Sequence, residues 1–166
     1  MDSFRADKEG AKRALGALDT ARRTANPLVS EAIVSRYIDQ RINDPCVPQL
    51  IALFLFSTWR AYLISLSVNR SRDNRRWREA VKTTEDLLWS LRPKTDAGSR
   101  CRFFKILPQL YQQLHLGITY QGWGSKEQDH FFAALAKLHQ AVLKLQTYPD
   151  EVLASSRVPE FRQTSN

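Results

Sequence analysis

The chain has 166 residues, 43% hydrophobic and 25% charged, with a formal net charge of +8. This balance excludes a disordered chain, and the length suits one domain able to bury roughly 70% of its unfolded surface. Cys46 and Cys101 have no metal-type spacing, and a chain of this size needs no disulfide staple, so both read as buried or half-buried thiols.

Residues 3–24 read as a polar helix with a weak stripe of Ala14, Leu15 and Leu18, and Gly10 and Gly16 lower its propensity. Residues 1–24 are therefore expected at the periphery or frayed. Asn26-Pro27 is a start signal, a capping side chain followed by proline at the first helical position. The helix it opens runs to about Asn43 with Leu28, Ala32, Ile33, Tyr37, Ile38 and Ile42 on its inner side. Asp44-Pro45 and Val47-Pro48 break it, because a residue before proline is pushed out of the α region.

An apolar helix follows over 48–69. Its length suits a bilayer, but Arg60 sits in its middle, at a cost of at least about 2.5 kcal/mol in a membrane. A helix apolar nearly all round is the mark of the centre of a bundle, and that is where it is expected. It is either wholly enclosed or offers an edge to a second copy of the chain. The polar stretch 69–74 is a loop, and Trp77, Val81, Thr84, Leu88 and Leu91 then mark one face of a helix over 74–92.

Pro93 ends that helix, and Thr95 or Asp96 caps the next, whose stripe is Phe103, Leu107, Leu110, Leu114 and Ile118. Pro108 lies within this stripe and should kink it. Gly122-Trp123-Gly124 closes it. Ser125-Lys126-Glu127-Gln128 reads as a capping box for a last helix over 126–146, with Phe131, Leu135, Leu138, Val142 and Leu145 inward. Tyr148-Pro149 ends that helix, and 147–166 forms a weakly ordered tail anchored by Val158 and Phe161. No β alternation occurs, so the fold class is all-α: a single-domain bundle of five to six helices over 1–146.

Little in the chain suggests catalysis. His115, His130 and His139 lack metal-ligand spacing, and His139 reads as a satisfied histidine at the core edge. Glu85-Asp86 reads as a solvated pair beside basic neighbours on its own helix. Neither a glycine-rich phosphate loop nor a Gly-x-Ser-x-Gly elbow is present. No catalytic residue, metal or cofactor is expected, and without a basic n-region and apolar run at the start the chain reads as cytoplasmic.

The charge is uneven. Residues 70–105 hold 11 basic and 5 acidic groups, whereas 106–166 balance at 5 and 5. Arg70, Arg72, Arg75, Arg76 and Arg78 fall within nine residues, and Arg92, Lys94, Arg100, Arg102 and Lys105 bracket the next turn. Arginine offers a planar fork for carboxylate or phosphate. The expected binding set is Arg70, Arg72, Arg75, Arg76, Arg92, Lys94, Arg100 and Arg102, split into two patches at opposite ends of one helix. Aromatic residues do not interleave with them, and Trp77 belongs by spacing to the core. An acidic protein partner is the first expectation, and a nucleic acid or signalling nucleotide the alternative.

Leu88-Trp89-Ser90-Leu91-Arg92-Pro93-Lys94, then Arg100, Leu107-Pro108, Leu110, Leu114, Gly117, Ile118, Phe131-Phe132, Leu135 and Leu138-His139, resembles a proteobacterial family, domain-of-unknown-function family 1631. The resemblance spans about residues 16–143 of this chain. It implies a helical bacterial cytoplasmic protein and carries over no catalytic residue. Members are usually longer, so the chain looks like a C-terminal piece or a short relative. The label thymidine phosphorylase, sometimes attached to members, implies a phosphate cradle and base pocket that this sequence does not show. The Leu-Trp-Ser-x-x-Pro-Lys run also makes physical sense as a helix-to-helix corner, with Lys94 bonding the last carbonyls and His139 reaching a neighbouring helix.

Overall fold

A computed structural model describes residues 9–13, 15–16, 27–68 and 74–155, and every element among them is helical. We label the helices α1 (Pro27–Ile42), α2 (Gln49–Val68), α3 (Asn74–Ser90), α4 (Ala97–Tyr120) and α5 (Ser125–Ser155). Residues 9–13 and 15–16 are also helical, and Leu15 packs on the core edge. The all-α bundle expected from the punctuation of the sequence is the fold observed.

α1 lies along the second half of α2, and α3 packs on both α2 and α4. The inward face of α1 is Ser30, Val34, Tyr37 and Ile38. Leu28, expected on that face, is 74% exposed, and Ala32 is exposed too. A helix whose apolar residues cover more than one side can dock by either, and here the Val34 side meets α2.

α2 contains a π-helical turn, Leu55–Trp59. Ile51, Leu55, Trp59, Leu63 and Ser67 are all buried and recur every four residues. In a regular helix such a series drifts about 40° per step off one face. The wider π turn absorbs part of that drift and keeps the series pointed inward. The outer side of α2 is uncovered among the described residues, with Leu53 59% exposed and Leu50 and Phe56 beside it. Among the described residues, α2 is therefore covered on its inner face and open on its outer one. It is long and apolar enough to cross a membrane, yet its inner face is core for α1, α3 and α4.

The helix ends follow their local signals. Asp96 caps α4, its carboxylate accepting from the Ser99 amide (2.8 Å) and hydroxyl (2.7 Å), which holds the carboxyl below its usual range. α4 runs unbroken through Pro108 and ends at Gly122, whose φ is +80°. There the Trp123 amide donates to Ile118 O (3.4 Å) and the Gly122 amide to Thr119 O (3.0 Å), a Schellman closure that turns the Trp123 ring onto Phe54 and Phe131. The Ser125 capping box expected for α5 is replaced by half a box: the helix begins at Ser125, and Gly124, in the N-cap place, has no side chain to cap with. Glu127 Oε2 accepts from the Gly124 amide (3.3 Å), and Gln128 Nε2 donates to Trp123 O (2.9 Å). α5 then continues past Tyr148-Pro149 to Ser155, so 147–155 extend the helix instead of starting a tail. A proline within a helix costs one hydrogen bond and a kink, which need not end it. Val158 and Phe161 lie outside the described residues.

Cys46 and Cys101 are both exposed free thiols, one in the turn after α1 and one on the outer side of α4, contrary to the buried reading. Within the core, Trp59 Nε1 donates to Thr84 Oγ1 (2.7 Å), which donates onward to Ala80 O (3.1 Å). Thr84→Val keeps the shape but strands the indole donor. It should lower unfolding free energy by about 1–3 kcal/mol, read as a lower denaturant midpoint at unchanged slope.

Candidate functional site

On α3, Arg78, Val81, Lys82, Glu85, Leu88, Trp89 and, just past its end, Arg92 recur at helical spacing and form one stripe. This stripe walls a cavity of about 920 Å³ whose other sides are the end of α1, the turn after it, and residues 10, 11 and 15. Apolar groups of Leu15, Val47, Val81, Leu88 and Leu91 line its interior. Its charged lining comprises five cations, Arg41, Arg78, Lys82, Arg92 and Arg102, against three carboxylates, Asp44, Glu85 and Asp86.

The middle of the wall is internally neutralised. Glu85 accepts the Tyr37 hydroxyl (2.6 Å) and pairs with Arg41 Nη2 (2.9 Å), joining α3 to α1. Burial, and then Glu85, raises the Tyr37 hydroxyl well above its usual range, so it stays a donor. Lys82 pairs with Asp86 at 2.6 Å. Glu85 is thus a bridge between helices, which the solvated-pair reading did not anticipate.

At the far end of the stripe stands the α3–α4 corner. Lys94 is only 2% exposed; its Nζ donates to Trp89 O (2.5 Å) and to Arg92 O, capping the end of α3 as the sequence suggested. The same ammonium lies 4.1 Å from the Trp89 ring centroid, and the Arg102 guanidinium 4.4 Å from it. Burial first, and then Arg92 and Arg102, lower the Lys94 pKa to about 8. Arg92 approaches Asp44 at 3.7 Å, and Asp44 accepts the Cys46 amide at 2.9 Å, so the corner is tied to the turn after α1.

Beneath the corner, His139 is buried between Ser90 and Tyr111. Ser90 Oγ donates to Leu87 O (2.7 Å) and lies 2.8 Å from His139 Nε2, while the Tyr111 hydroxyl lies 3.0 Å from Nδ1. With the serine proton committed to Leu87, Nε2–H donates to Ser90 and Tyr111 donates to Nδ1. The imidazole is a satisfied neutral linker of three helices, and in this arrangement it does not draw a proton from Ser90. Burial, and then the charge of Lys94, lower its pKa to about 4.

The expected binding residues divide. Arg92 and Arg102 line the cavity, and Lys94 underpins it from behind Trp89. Arg75 points outward in a pair with Glu79 (2.9 Å), and Arg76 and Arg100 are exposed away from the cavity lining. Arg70 and Arg72 lie outside the described residues. Of the first arginine cluster only Arg78 among the described residues, which was outside the expected binding set, reaches the cavity wall, whereas the second contributes Arg92 and Arg102. Sequence reasoning missed Trp89 as a platform for cations, although the stripe 78–92 was there to be read. Arg41 carried no local signal, because its place depends on α1 docking beside α3. Among the described residues, no three His, Cys, Asp or Glu side chains come together as a metal site.

An all-α domain with a cation-lined cavity beside a capped helix corner is the class that fold and site define. The chain belongs to the family described as protein of unknown function (DUF1631), third domain, which matches residues 20–136. The match takes in α1 to α4, the corner, and the first part of α5. No curated protein and no solved structure matches the chain.

Proposed function

We propose that this domain is a non-catalytic docking module that holds an acidic protein partner through Arg78, Arg92 and Arg102 at the α1–α3 cavity. The observation that carries this reading is the excess of cations over carboxylates in a cavity whose interior is apolar. Arginine and tryptophan together are the residues that most often anchor protein interfaces, and Trp89 with Arg102 supplies both. Complementary charge speeds encounter and orients the partner, while the apolar interior supplies most of the affinity.

The test is anisotropy of a labelled oligoglutamate peptide titrated with the wild-type chain and with Arg78→Glu/Arg92→Glu. The variant should bind at least about tenfold more weakly and keep its helical circular dichroism. Equal binding by the two proteins, or none by the wild type, removes the reading.

A second reading is a phosphate-bearing ligand, nucleic acid or signalling nucleotide, at the same arginines. The stacked Arg102 guanidinium beside Lys94 and Arg92 favours it, since such a cluster suits phosphate oxygens. Binding to duplex DNA would then fall with salt at a log–log slope near about −0.9 for each phosphate contacted.

A further inference from the structure

We propose that the interior of the cavity takes a long-chain acyl anion, its hydrocarbon lying along α3 over Leu88 and Leu91 and its carboxylate on Arg78. The inference goes beyond the docking reading above. That reading concerns the cations around the rim, whereas this one concerns the interior and a single arginine.

The charges inside the cavity select one anionic head. Arg41 is answered by Glu85 at 2.9 Å, Lys82 by Asp86 at 2.6 Å and Arg92 by Asp44 at 3.7 Å. The Arg102 guanidinium lies over the Trp89 ring, 4.4 Å from its centroid. Arg78 is exposed at the other end of the wall and forms no ion pair among the described residues. One open arginine suits one negative charge. A second charge on a ligand inside would stand against Glu85 or Asp44 with no open cation beside it, a repulsion that complementary sites avoid.

The interior favours hydrocarbon over groups that need hydrogen bonds. Beyond their ion pairs, Glu85 accepts from the Tyr37 hydroxyl (2.6 Å) and Asp44 from the Cys46 amide (2.9 Å). These wall groups are thus answered by one another. A peptide backbone or a nucleobase pushed among them would lose its water without gaining partners, which weakens binding for each group left unmatched. An acyl chain brings no such groups and buries against Leu15, Val47, Leu88 and Leu91. From Arg78 to Leu91 the wall is about 20 Å long at the helical rise, the reach of a long acyl chain, and the cavity of about 920 Å³ has room for one.

Calorimetric titration of the full chain with octanoate, laurate and palmitate, each kept below its micelle concentration, provides the test. Laurate should bind one to one, and affinity should rise roughly tenfold for each added pair of methylenes. Arg78→Gln should weaken laurate about fivefold and leave dodecanol unchanged, while Leu91→Asp should weaken both. Lys137→Gln, exposed on α5 and outside the lining, should change neither. Arg78 is exposed, so its variant reports on binding even if Leu91→Asp fails to fold.

No binding of laurate overturns the inference and leaves the docking reading, which the oligoglutamate titration tests, standing. Affinity independent of chain length, or equal for wild type and Arg78→Gln, overturns it as well. Equal binding of dodecyltrimethylammonium marks detergent adsorption and has the same consequence. Tighter binding of lysophosphatidylglycerol than of palmitate moves the head from carboxylate to phosphate and overturns the assignment of the carboxylate.

Discussion

Gly117→Ala is expected to destabilise the domain by about 3 kcal/mol, a drop in Tm of roughly 6–12 °C. A Cβ on residue 117 would stand 2.4 Å from Trp59 Cζ3 and 3.0 Å from both Trp59 Cη2 and Tyr62 Cδ1. Neither ring is free to retreat. The Trp59 indole is held by Thr84 at 2.7 Å and packs on Tyr62 at 5.0 Å, and Tyr62 packs in turn on Tyr120 at 5.6 Å. The helix axes must therefore separate or the π turn of α2 must shift.

The sign is informative because alanine in a helix interior is intrinsically better than glycine by about 1 kcal/mol. A thermal melt showing an unchanged or higher Tm would mean that α2 and α4 do not approach this closely. Trp59→Phe in the alanine background should recover part of the loss, so the two changes should combine less than additively.

The second large effect is a loss of stability in mild acid that belongs to His139. Its ordinary value of 6.5 is lowered to about 4 by burial and by Lys94. Above pH 6.5 folded and unfolded chains both carry a neutral imidazole, and this residue gives stability no pH dependence. Between pH 6.5 and 4 the unfolded chain takes up a proton that the folded chain refuses, so stability falls as pH falls. The slope approaches about 1.4 kcal/mol per pH unit, so moving from pH 7 to pH 5 should cost roughly 2 kcal/mol.

Denaturant unfolding at both pH values, in the wild type and in His139→Gln, isolates the effect. The variant should be less stable at pH 7, having lost the contacts to Ser90 and Tyr111, but should show much less change on acidification. An equal pH response in the two proteins would assign the acid sensitivity to other groups.

Much of the local architecture was legible in the sequence. Pro27, the 44–48 prolines, Pro93 and Gly122 mark helix boundaries because each acts on its own φ and ψ or on those of its neighbour. The inward face of α3 followed from the spacing of Trp77, Val81, Thr84 and Leu88, all of which are buried. The Lys94 cap could be expected because its acceptors lie only two and five residues back. Even the reach of His139 to another helix was suggested by a lone histidine beside an apolar face.

What resisted reading depends on which faces meet. α1 and α2 carry apolar residues on more than one side, so periodicity alone could not say that Val34 goes inward and Leu28 outward, or that Leu53 remains uncovered. The arginine run was plain in the sequence, but its sorting was not: α3 turns Arg78 into the cavity wall and Arg75 away from it.

By itself, then, the sequence determined an all-α chain, its helix ends and a concentrated positive charge, since these follow from backbone geometry and residue type over a few positions. Only the tertiary structure decided the candidate site. Glu85 finds Tyr37 across 48 residues and Ser90 finds His139 across 49, and such pairings arise when packed helices bring remote side chains together. The cavity is a product of the same docking. Its cations are gathered from α1, α3 and α4, and no spacing within a single helix encodes their meeting.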